Sequence, residues 1–117
     1  DTNLETMNTQ LEQAIEGLSS ATKWILETAK ISKKEVAAIS VPYLRLLGIV
    51  CGGWLLIESA MKACEPANNS EINAEFKRKK LLSAKFFSQN FLVQVESLVQ
   101  TVTSAGETIC ASSLNDF

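Results

Sequence analysis

The sequence predicts an all-α protein: an antiparallel up-down bundle of three long helices, the second bent near Pro42 and the third either continuous or split in two to give a four-helix bundle. Two observations predict it. Apolar residues recur at three- and four-residue spacing along most of the chain, while runs of alternating polarity bounded by turn residues are nearly absent. The two prolines, Pro42 and Pro66, fall where the helical pattern is interrupted.

In the first element Leu4, Met7, Leu11, Ala14, Ile15, Leu18, Ala21, Ile25, Leu26 and Ala29 form one stripe, which predicts a helix over residues 3–30. Ser32-Lys33-Lys34-Glu35 then reads as a capping box, with Ser32 accepting from the Glu35 amide and the Glu35 carboxylate returning to the Ser32 amide. A second helix starts there. Pro42 cannot donate to the Ala38 carbonyl, so this helix is kinked or restarted near Ser40, which could cap a segment holding Pro42 in its first turn.

Glu65-Pro66-Ala67-Asn68-Asn69-Ser70 is the clearest linker; Asn68-Asn69-Ser70 has the form of a glycosylation sequon and is read as a turn. Beyond it Ile72, Phe76, Ala84, Phe87, Phe91, Val95, Leu98, Val102, Ala105 and Ile109 hold one stripe. The third element is one long helix or two with a break near Asn90, because Ser88-Gln89-Asn90 is its weakest helix-forming point. Residues 112–117 read as a frayed tail.

Composition bounds the function. With 117 residues the chain is one domain and buries roughly two-thirds of its unfolded surface. A net charge of -2 argues against nucleic-acid binding, which needs a domain-wide basic excess. Cys51, Cys64 and Cys110 are odd in number and far apart, so neither a disulfide framework nor a zinc site is predicted, and a cytoplasmic location is expected. The chain has no histidine, which removes the commonest general base and metal ligand.

Tyr43 to Ala63 is the most apolar stretch. Its uncharged core, Leu46 to Ile57 between Arg45 and Glu58, is 12 residues long, whereas a membrane span needs about 20. It is therefore expected to be a buried bundle helix and not a membrane span. Gly48, Gly52 and Gly53 are expected to admit a close contact, either with a neighbouring helix or with another surface, and Trp54 suits its rim. The basic run Lys77-Arg78-Lys79-Lys80 fans around its helix and reads as a solvated face, with Lys77, Lys80 or Lys85 available to pair with the acidic first helix.

These residues also carry a resemblance. Tyr43-Leu44, then Gly48, Val50, Gly52 or Gly53 and Trp54, then Lys80, then Ala84-Lys85-Phe86-Phe87, and finally Gly106 follow one another in an order and spacing similar to the extra C-terminal domain of bacterial acyl-CoA dehydrogenase-like flavoproteins. The resemblance spans nearly the whole chain. Two departures stand out: relatives often carry Leu-Pro where this chain has Leu92-Val93, and an acidic residue where it has Pro42.

The resemblance implies that residues 1–117 are one helical-bundle domain of a larger flavoenzyme, whose preceding domains hold FAD and oxidise an acyl-CoA at its alpha-beta carbons. Starting at Asp1, without methionine, suits a processed or excised domain. Its partners would be the catalytic body of its own polypeptide and further copies in a homo-oligomer. Tyr43, Arg45, Gly48, Gly52, Gly53, Trp54, Lys80, Lys85, Phe86 and Phe87 are the candidate packing or interdomain residues. No catalytic residue, metal or cofactor is assigned to this chain alone, and Glu58, Glu75 and Glu96 are not promoted to catalytic base. The alternative is a free-standing helical adaptor that holds a partner helix in an apolar groove.

Overall fold

A computed structural model describes residues 2–65, 71–112 and 116. The predicted linker beyond Glu65, with its sequon, and most of the predicted tail lie outside the described residues, as does the side chain of Ile72. Helix α1 spans Thr2–Ala29, α2 Lys33–Ala38, α3 Ser40–Ala63, α4 Glu71–Asn90 and α5 Val95–Ala111, with a 3₁₀ turn at Leu92–Gln94 between the last two. No strand occurs among the described residues.

The helices make three antiparallel rods: α1, then α2 with α3, then α4 with α5. Their register is tied by Thr22 against Tyr43, Gly17 against Val95 and Val99, and Gly53 against Leu92. The molecule measures 62 × 28 × 19 Å. One core runs along it, from Met7, Leu11, Ala14 and Ala21 of α1 through Leu46, Ile49, Val50, Ile57 and Ala60 of α3 to Ala84, Leu92, Val95 and Val102. The predicted stripes supply most of this core, though Ile15, Leu26, Phe76 and Ile109 lie exposed at their edges.

The first turn between rods is capped on one side only. Ser32 Oγ accepts from the Glu35 amide at 3.3 Å, but the Ser32 amide donates to the Thr28 carbonyl at 2.7 Å. That amide is already satisfied by the end of α1, so the return half of the capping box does not form.

The bend predicted near Pro42 falls at Ile39, whose φ of -106° and ψ of 13° end α2 and start α3. Pro42 then sits in the first turn of α3, where its missing amide leaves no helical bond unmade. Ser40 does not cap α3, because its hydroxyl donates back to the Ala37 carbonyl at 2.9 Å. Burial of Ile39 holds the joint, since its side chain has no exposure at all.

The third rod does break, although no proline stands there. The Phe91 amide donates to Phe87 and the Gln94 amide to Phe91, closing a tighter turn between α4 and α5. The rotation this turn introduces lets Leu92 and Val95 enter the core beside Gly53 and Gly17. Packing of Leu92 sets the break where local propensity alone marked Ser88 to Asn90.

Candidate functional site

The candidate residues divide between the two sides of α3. On the inner side, a β-carbon at Gly52 would lie 3.1 Å from the Phe87 ring, and one at Gly53 would lie 2.9 Å from a Leu92 methyl. These glycines let α4 and the following turn approach α3 closely, and Phe87 stacks on Phe91 at 5.0 Å between ring centroids. Tyr43 also belongs here. Thr22 Oγ1 bonds the Leu18 carbonyl at 2.8 Å, so its single proton is used and the Tyr43 hydroxyl donates to it across 2.7 Å.

Gly48 behaves differently. A β-carbon there would meet nothing within 4 Å, so the close contact predicted for all three glycines is made inside the chain by two of them only. Gly48 lies on the outer side of α3 with Val41, Leu44, Leu47, Cys51, Trp54 and Leu55, all exposed. Arg45, at the edge of this side, is drawn off it by a 3.0 Å bond to Gln94 Oε1.

The remaining candidates lie on α4. Lys80 stands over the Phe76 ring at 5.3 Å, a cation-π contact. Phe86 is exposed and meets Phe91 edge-on at 6.3 Å between centroids. Lys85 is exposed at a shallow hollow lined by Met7, Arg78, Leu81 and Leu82. Glu75 bonds Arg78 at 3.2 Å and lies 4.0 Å from Lys79. Among the described residues, none of Lys77, Lys80 or Lys85 pairs with an α1 carboxylate; at this exposure such pairs would add little.

Among the described residues, no group of three or more carboxylates and cysteines gathers at one place. A groove of about 760 Å³ between α1 and α5 is lined by Gln10, Gln13, Gly17, Val95, Val99 and Gln100, with Glu96 as its one carboxylate. Glu58 sits on α3, away from that groove, and Glu75 is engaged within α4. The clustered glycines lie inside α3, where helical bonding occupies their amides, so they cannot cradle a phosphate as a glycine-rich loop would. These residues do not fit a flavin site. What the domain displays is a surface.

Comparison with known proteins identifies the domain. The family described as "Acetyl-CoA dehydrogenase C-terminal like" matches residues 1–113. This chain belongs to that family. Within curated proteins, the 3-methylmercaptopropionyl-CoA dehydrogenase of Ruegeria pomeroyi is 31% identical over 106 residues, which cover 90% of this chain and 18% of that protein. The chain thus spans less than a fifth of that relative's length. No solved structure matches it. Tyr43, Gly52, Gly53, Phe87 and Gly106 each lie at a contact between rods, and Gly48 lies on the outer side of α3.

Three contributors were not legible as site residues. Thr22, Leu92 and Gln94 hold Tyr43, Gly53 and Arg45 respectively. Thr22 follows Ala21 on the apolar stripe of α1, which is the local signal for a helix-facing hydroxyl. Leu92 and Gln94 carry no such signal, because their partners lie on another rod.

Proposed function

We propose that this chain is the C-terminal accessory domain of an FAD-dependent acyl-CoA dehydrogenase-like enzyme. The domains outside it would bind FAD and oxidise an acyl-CoA thioester at its alpha-beta carbons. The domain itself packs on that catalytic body, and through this packing supports assembly of the oligomer or covers the substrate entrance. FAD, when bound by the body, supplies the hydride-accepting chemistry; this chain's residues contribute contacts only.

One observation carries the reading: the family match runs over residues 1–113, while the matching region makes up only 18% of a curated dehydrogenase. A domain that is a minor part of an enzyme, and whose clustered glycines lie inside a helix and not in a phosphate-cradling loop, supports the accessory role over the free-standing adaptor. The apolar character of α3 also bears on the membrane. By length and composition α3 could cross a bilayer, but Leu46, Ile49, Val50, Gly53, Ile57, Ala60 and Ala63 bury one side of it among the other helices. Insertion would have to carry the charged α1 and α4 along or break those contacts.

The test is the intact reading frame. Expressed whole, the polypeptide should purify yellow with a flavin spectrum and reduce an electron acceptor with acyl-CoA; this chain alone should be colourless and inactive. Removing the domain should leave flavin on the body and lower its assembly state or thermal stability. A reading frame that begins at this domain and encodes no flavoprotein body rejects the proposal.

A further inference from the structure

We infer that the outer side of α3 is the docking seam for a helix of the catalytic body, with Gly48 at the point of closest approach; this rests on the accessory-domain reading above. Val41, Leu44, Gly48, Cys51 and Leu55 follow one another at intervals of three and four residues, so they line one stripe of α3. The stripe faces away from the side buried by Leu46, Ile49, Val50, Gly53 and Ile57. Val41, Leu44 and Leu55 are 74%, 64% and 58% exposed, with Trp54 beside them at 48%. Water is a poor partner for a stripe flanked by so many exposed apolar side chains.

Gly48 is the second observation. Glycine is a poor residue for a helix interior, and the other two glycines of α3 are accounted for by Phe87 and Leu92. Among the described residues, no neighbouring helix comes within 4 Å of where a β-carbon on Gly48 would stand, yet it sits midway along the apolar stripe, next to the small side chain of Cys51. A notch of this kind lets a second helix axis come unusually close, with Leu44 and Leu55 packing on either side of the crossing. No charge interrupts the stripe from Val41 to Leu55, and Arg45 at its edge is held aside by Gln94.

Chain length points to the occupant. The matching region is 18% of the curated relative, so most of such an enzyme lies outside the domain and must meet it somewhere.

Cys51 reports on the seam directly, because it is exposed on the stripe while Cys64 and Cys110 are half-buried elsewhere. The experiment measures N-ethylmaleimide labelling of Cys51 by peptide mass spectrometry, in this chain alone and in the intact flavin-loaded polypeptide. Labelling should be rapid in the chain alone and slowed at least ~10-fold in the holoenzyme, as for a site that reacts only on local opening. A Gly48→Trp variant should restore rapid labelling in the holoenzyme without lowering the melting midpoint of the isolated chain. Equal Cys51 rates in the isolated chain and in a flavin-loaded, active holoenzyme overturn the seam while leaving the accessory role intact. An intact polypeptide without flavin overturns both. Protection of Cys51 in the isolated chain that grows with its own concentration, or that appears on adding phosphatidylcholine vesicles, assigns the stripe to a second copy or to a bilayer and overturns the inference.

Discussion

A methyl group of Leu92 lies 2.9 Å from where a β-carbon on Gly53 would stand. This contact joins the break in the third rod to the middle of α3, and both residues are buried. Replacing Gly53 with leucine drives the larger side chain into Leu92 and Phe87. Overpacking of this kind costs roughly 1 to 3 kcal/mol, which outweighs the helix-propensity gain of about 1 kcal/mol over glycine. The urea midpoint of Gly53→Leu should therefore fall, and an unchanged midpoint would mean that the Leu92 turn moves aside freely.

Gly48→Ala should have the opposite sign in the isolated chain. The added methyl meets no neighbour within 4 Å, so only the propensity term remains, a gain of about 1 kcal/mol. The same melts should show a raised midpoint. A lowered one would place an unseen contact at Gly48 within the bundle.

Ser88 is 2% exposed, and its hydroxyl finds no partner, although its carbonyl accepts from Gln10 Nε2 at 3.2 Å. A buried polar group left unpaired costs about 1 to 3 kcal/mol. Ser88→Ala removes that group, keeps the backbone bond to Gln10 and substitutes a better helix former. Calorimetry should record a higher melting temperature; a drop would reveal that the hydroxyl is satisfied in solution.

Gly106 faces a neighbour that cannot rotate away. A β-carbon there would lie 3.0 Å from the Glu35 carbonyl oxygen and 3.4 Å from a methyl of Ile39. Gly106→Ala must push α2 off α5, with a net loss of about 1 kcal/mol after the propensity gain. Hydrogen exchange resolves where the loss occurs: amides 33–38 should exchange faster while those of α4 keep their rates. Uniform exchange across the chain would contradict a local displacement.

The sequence by itself determined the helical class, the three rods and most of the core, because a stripe repeated every three or four residues has only one way to bury itself. Met7, Leu11, Ala14, Ala21, Val95 and Val102 are buried for that reason. Caps and breaks were legible to within a few residues, since Ser32 and Pro42 act on their own helix. The order of Tyr43, the glycines and the Ala84 to Phe87 segment was enough to point to the family. Tertiary structure alone decided what periodicity cannot encode, namely which side of an almost wholly apolar helix faces inward. Gly48, Gly52 and Gly53 are the same residue type in the same helix, yet Phe87 and Leu92 stand against two of them and open space against the third. The shift from Pro42 to Ile39 in the second rod has the same origin: a buried side chain sets the joint, and that burial exists only once the rods have packed.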